Sequence, residues 1–196
     1  MLVVLCAHKI EAEPFIQRYG MVQTSNVEGM TLFEGVGVQL LLTGQGRDNV
    51  ARSLSKFFLR HSPQDIDYWL NFGIAGSSEF EIGTMITVCQ VHHISTNMSL
   101  AVNTAHCDTL PLCRCYTVDA IEQRYLTGGV YDMEAAAIVD ALQAHNVLQQ
   151  LRLLKLVSDG PGYSVENLDL HTIRLMVTEN ADLITRVSDQ LMPSTC

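Results

Sequence analysis

Two acidic residues flank a methionine at Asp132-Met133-Glu134 and run directly into Ala135-Ala136-Ala137. Acids at a helix start complement the dipole and cap free amides, and that local role already accounts for the pair. Three small residues also let the helix lie close to a sheet. A carboxylate held there can accept hydrogen bonds from two vicinal hydroxyls, as on a ribose. Asp159 stands between Ser158 and Gly160 at the end of an apolar run. An Asx-type turn before Pro161 explains it locally. A carboxyl group at a strand end in a partly dry pocket can also hydrogen-bond, or give a proton to, a ring nitrogen. Glu11 and Glu13 lie at the start of the first helix, with Pro14 suited to an early helical turn. Beyond dipole complementarity, a carboxylate there is suited to orient and activate a water.

The other segments with chemical potential are backbone-rich. Gly73-Ile74-Ala75-Gly76 follows an apolar run, and its small residues allow a flat ring to lie against the main chain. Thr43-Gly44-Gln45-Gly46 has neither Walker nor dinucleotide-loop spacing. His92 and His93 are adjacent, so on a strand they face opposite sides, and the remaining histidines share no ligand spacing. No nucleophile elbow is present, and no metal or cofactor is expected.

These segments need elements to position them. Residues 2–7 form a continuous apolar run, the pattern of a strand buried on both faces. The pattern then gives a helix over 11–19 closed by Gly20, and a hairpin of 31–34 and 38–43. It continues with a helix over 49–60, a strand over 67–72, a loop over 73–77 and a strand over 85–94. Residues 95–112 have no period. A strand over 113–118, a helix over 135–145, a strand over 151–157 and a closing helix over 167–191 complete the chain. Alternating strands and helices indicate one α/β domain over 1–196, three-layered around a central mixed sheet. In such sheets ligands bind at the carboxyl ends of strands, where His8–Glu13, Gly44–Arg47, Gly73–Ser77 and Ser158–Gly162 fall.

Composition narrows the partners. The 196 residues are 47% hydrophobic and 17% charged, enough for a packed core without staples. Lys and Arg number 12 against 21 Asp and Glu, a formal charge of −9, which argues against nucleic acid or an anionic membrane as partner. Six cysteines form no CxxC pair and read as small core residues in a reducing cytoplasm. No basic segment precedes the apolar residues 1–7, as a signal peptide would require.

Taken in order, these segments resemble the nucleoside phosphorylase and nucleosidase superfamily. They are most like its hydrolytic branch, the methylthioadenosine/adenosylhomocysteine nucleosidases and futalosine hydrolases. The matching pieces are Glu11-Ala12-Glu13, Thr43-Gly44-Gln45-Gly46-Arg47, Asn71-Phe72-Gly73-Ile74-Ala75-Gly76, Thr117-Val118-Asp119-Ala120-Ile121, Asp132 through Ala137, and Ser158-Asp159. The resemblance implies a nucleoside phosphorylase-like three-layer αβα sandwich, a small-molecule nucleoside substrate and a homodimer. It implies that Glu13 activates water, that Glu134 meets a ribose hydroxyl with Met133 packed on the sugar, and that Asp159 with Ser158 binds and protonates the base. Ile74, Ala75, Gly76 and Ile121 would line the base pocket, with Arg47 also on the substrate side. The chain departs from the pattern by being short between Asn97 and Cys113, and by having Ile121 where an aromatic residue is common. Tyr68 through Phe72 carry no basic residue, and a carboxylate at Glu13 would repel a phosphate dianion. Hydrolysis is therefore the expected reaction, with phosphorolysis or nucleoside binding without turnover as the alternatives.

Overall fold

A computed structural model describes residues 1–27, 30–107, 109–120, 125, 128–161, 163 and 168–192. Strand β1 (Leu2–Cys6) has all five residues buried and runs parallel to both β4 (Val38–Leu42) and β5 (Tyr68–Ser77). Beyond β4 the sheet continues antiparallel through β3 (Met30–Gly35) to β2 (Val22–Val27). On its other edge β5 pairs in parallel with β10 (Leu151–Asp159), every residue of which is buried. Strand β6 (Met85–His93) runs antiparallel to β10 and parallel to β8 (Leu112–Thr117), with β7 (Met98–Ala101) added at its far end. Strand β8 pairs with β9 (Val130–Asp132), which returns to β5 at Gly76 and Ser77. The strands β5, β10, β6, β8 and β9 thus close a ring, and β1, β4, β3 and β2 form an open wing.

Helices cover both faces, as a sheet buried on two sides requires. Helix α2 (Arg47–Phe58) and α3 (Ala135–Ala144) pack Val50, Leu54, Phe57, Ile138 and Leu142 against Val3, Leu5 and Leu153. Helix α1 (Lys9–Arg18), α4 (Leu170–Glu179) and α5 (Ala181–Leu191) pack Phe15, Val177, Ile184 and Leu191 against Leu2, Val4 and Leu154. Each such side chain contributes about 1.5–3 kcal/mol on burial. The three-layer α/β sandwich around a mixed sheet is the architecture the alternating pattern required.

Three features differ from the sequence expectation. The segment 73–77 is strand rather than loop: Ile74, Ala75 and Gly76 pair with Leu156, Val157 and Asp159 of β10. Its glycines serve close approach instead of turning, since a Cβ on Gly73 would touch both the Glu11 carboxylate and the Lys155 ammonium at 3.4 Å. The closing helix is two helices: Asn180 (φ −100°, ψ 6°) ends α4, its side-chain amide donating to the Met176 carbonyl, and α5 begins at the next residue. Strands β2, β7 and β9 were not anticipated; β2 and β7 extend the sheet outward, and β9 has three residues, too few for a visible period.

Candidate active site

The joint of the fold is Gly76, where β5 pairs with β9 on one side and β10 on the other. At this joint a cavity of about 130 Å³ opens, lined by residues from five separate parts of the chain. Its walls include His8 and Glu11 at the start of α1, Gln45, Ile74 to Gly76, Tyr131 to Glu134, and Ser158 with Asp159.

Asp159 ends β10 just past a register shift between Val157 and Asp159. Bulges of this kind re-aim side chains at sites. The Ser158 hydroxyl donates to Asp159 Oδ1 at 2.6 Å, and the Tyr125 hydroxyl donates to Oδ2. At 4% exposure the carboxylate is desolvated, so these donors hold it in place.

The two acids of Asp132-Met133-Glu134 divide the roles read for them. Asp132 caps α3: Oδ2 accepts the Ala135 amide at 2.9 Å, and Oδ1 accepts the Thr117 hydroxyl at 2.7 Å. Glu134 makes no cap bond; its Oε1 accepts the Gly46 amide at 2.7 Å, from the glycine turn before α2. Burial pushes the Glu134 carboxyl up to about 7, the negative charges of Asp132 and Glu11 add to this, and Lys155 and the Gly46 amide oppose it. Met133 lines the same wall, its sulfur 3.5 Å from Gln45 Nε2.

Behind the cavity lies Lys155, 1% exposed, paired with Asp132 at 2.7 Å and donating to Asn71 Oδ1 at 3.0 Å. Burial alone would lower its pKa. The charges of Asp132 and Glu134, with the Asp132 hydrogen bond, outweigh burial and raise it, so the ammonium stays protonated.

Of the two acids opening α1, Glu11 faces the cavity and Glu13 does not. Glu11 is 3% exposed; its Oε2 accepts the His8 amide at 2.8 Å and its Oε1 the Ile74 amide at 3.2 Å. Glu13 lies two residues on, about 200° around the helix, and pairs with Arg174 of α4 at 3.1 Å. The expectation for Glu13 is corrected on this ground. Arg47 is likewise outside the cavity: as the first residue of α2 it turns toward β6, its Nη1 3.5 Å from His93 Nε2, and lines a hollow between α2 and α3. Ile121 lies outside the described residues. The structure brings Glu134, Met133, Ser158, Asp159, Ile74, Ala75 and Gly76 to one cavity. Tyr125, Tyr131 and Lys155 were not singled out from the sequence; none of them has a local pattern that distinguishes it from a core residue.

No arginine or lysine lines the cavity among the described residues. Nor, among them, do three or more His, Cys, Asp or Glu gather as a metal would require. No helix among the described residues is long and apolar enough to cross a membrane.

No family model matches the sequence, and no curated protein does. Solved structures match over nearly the whole chain. The 5'-methylthioadenosine nucleosidase of Arabidopsis thaliana superposes with TM-score 0.83 at 16% identity, covering 97% of this chain and 95% of that one. A futalosine hydrolase of Helicobacter pylori gives 0.77 at 12% identity, covering 96% and 97%. The Campylobacter jejuni 5'-methylthioadenosine/S-adenosyl homocysteine nucleosidase gives 0.76 at 14%, covering 96% and 98%. At these identities the likeness establishes the nucleoside phosphorylase-like fold.

Proposed function

We propose that the protein hydrolyses the N-glycosidic bond of a purine nucleoside or nucleoside thioether, releasing free base and sugar. The observation that carries this reading is the meeting of Glu11, Glu134 and Asp159 at one cavity whose described lining has no arginine or lysine. Three helix or strand caps could lie anywhere on the surface, so local sequence rules do not require their convergence. The names of the structural neighbours, two nucleosidases and a futalosine hydrolase, support the same reading.

The chemistry follows from the charges that develop. Cleaving the bond puts oxocarbenium character on the sugar and an electron pair on the base nitrogen. Asp159, a carboxylate in the empty protein with Ser158 donating to it, takes up a proton from solvent as the nucleoside binds and gives it to the base nitrogen as the bond breaks. Glu134 accepts from the ribose hydroxyls and holds the sugar, with Met133 against its face. Glu11 holds a water beside the anomeric carbon and takes its proton as the new C–O bond forms, the two-carboxylate logic of glycosidases. The apolar walls at Ile74, Val118 and Leu168 exclude bulk water and strengthen these interactions.

A phosphate dianion would enter a cavity bounded by four acidic side chains, Glu11, Asp132, Glu134 and Asp159, with no guanidinium among the described lining to receive it. The reading includes a homodimer, which light scattering tests, and the cytoplasm, which suits the free, buried thiols of Cys6 and Cys115. The deciding experiment is incubation with purine nucleosides and 5'-methylthioadenosine, with and without phosphate, followed by chromatography for free base. Release without phosphate is the expected result. Release that requires phosphate, or binding without release, overturns the hydrolytic reading.

A further inference from the structure

The base end of the cavity is filled by the protein's own side chain. Tyr125 is 6% exposed, and its hydroxyl donates to Asp159 Oδ2. Its ring lies on the bare backbone of Gly76: a Cβ there would overlap the Tyr125 hydroxyl and ring carbons. On another side it packs against Tyr131, ring centroids 5.2 Å apart and tilted by 58°. A flat ring with a hydrogen-bond donor at its edge is also the description of a purine base. What remains empty is about 130 Å³, less than the roughly 300 Å³ at which small-molecule sites begin.

We infer that Tyr125 is a stand-in for the base in the empty protein, and that a purine base binds by displacing it from Gly76 and Asp159. The inference rests on the assignment of Asp159 and Ile74 to Gly76 as the base site. Two physical points support a side chain that docks yet can leave. In the empty cavity the buried Asp159 carboxylate needs donors on both oxygens, and Ser158 supplies one of them. Tyr125 supplies the other, which makes docking favourable. Against this, Tyr125 holds φ +40°, a left-handed backbone conformation that a bulky residue rarely adopts, so docking works against local backbone preference. A base bringing its own N–H donor replaces the hydroxyl at Asp159 and lets Tyr125 relax. The protein that binds base is then the minor, undocked population, and apparent affinity is reduced by the fraction undocked.

The test reads equilibrium binding of free adenine by calorimetry, with no bond cleaved. Tyr125→Phe removes the bond to Asp159 and keeps the ring; Tyr125→Gly removes the ring and suits the positive φ. Both variants bind adenine about tenfold or more tightly than the unaltered protein, the factor that one hydrogen bond to a charged acceptor carries. In the unaltered protein, tetranitromethane modifies Tyr125 faster once adenine is added. Equal or weaker binding by the variants, nitration unchanged or slowed by adenine, or no adenine binding by any of the three proteins overturns the inference. Failure of the hydrolytic reading is seen separately, in the release assay, and leaves these binding outcomes intact.

Discussion

Under the proposed function Glu134 works against stability, and replacing it exposes the size of that conflict. Its carboxyl titrates at about 7 in the folded protein, against 4.5 for the free group. The folded value is the higher one, so ionising Glu134 disfavours the folded state. The cost is absent below about pH 4.5 and fully developed above about pH 7. At about 1.4 kcal/mol per unit, it is roughly 1 kcal/mol at pH 5 and at most roughly 3 kcal/mol at pH 8. Glu134→Gln removes the charge while its amide oxygen still accepts from the Gly46 amide. For a chain of this size about 1 kcal/mol moves Tm by about 2–4 °C. The variant therefore melts above the unaltered protein by up to about 10 °C at pH 8 and by a few degrees at pH 5. Thermal unfolding followed by circular dichroism at both pH values measures the difference, and groups common to both proteins cancel. A shift of equal size at the two pH values, or a lower Tm for Glu134→Gln at pH 8, refutes the reasoning.

The same carboxyl sets the pH profile of turnover. Ribose hydroxyls need an ionised acceptor, so kcat/KM on a purine nucleoside falls about tenfold per unit below pH 7, and Glu134→Gln flattens that limb. Glu11→Gln lowers kcat by about a hundred- to ten-thousand-fold, whereas Glu13→Gln leaves it within a factor of two; steady-state kinetics on both variants separates the two acids. Glu13→Gln also costs less than about 1 kcal/mol of stability, because its partner Arg174 is mostly exposed and the pair is solvent-screened. Lys155→Met leaves Asp132 buried without its counter-ion and costs about 3–5 kcal/mol, measured by urea unfolding.

Much of the layered fold was legible because its signals are local. The run Leu2–Cys6 is apolar throughout, and Leu151–Val157 is apolar but for Arg152 and Lys155, the pattern of strands covered on both faces. The site was legible in residue types and less so in phase. Glu11 and Glu13 are equally acidic, but four residues after Glu11 comes the buried Phe15, and four after Glu13 the exposed Gln17. That i, i+4 comparison places Glu11 on the sheet-facing stripe and was available in the sequence. Arg47 offered no such comparison, since it begins α2 and its direction is set by where β6 lies. Tyr125 was illegible for a different reason. Its contacts with Gly76 and Asp159 span long sequence separations.

The glycine at the joint explains why these distant residues meet. Gly76 accepts β9 on one edge and β10 on the other, so the end of β10 carrying Ser158 and Asp159 lies beside the end of β9 leading into Met133 and Glu134. The first loop reaches the same point because Glu11 is tied to the Ile74 amide, two residues before the joint. Around it three carboxylates, Glu11, Asp132 and Glu134, face a single buried ammonium, Lys155, an arrangement with excess negative charge. Backbone amides at His8, Ile74, Ala135 and Gly46 offset part of that excess and fix each carboxylate in direction. Acceptors oriented before substrate arrives need little reorganisation in the transition state, which is what catalysis at a developing cation requires. A core built for stability alone would fill this joint with methyl groups; the held carboxylates are therefore the strongest physical sign that the cavity serves a reaction.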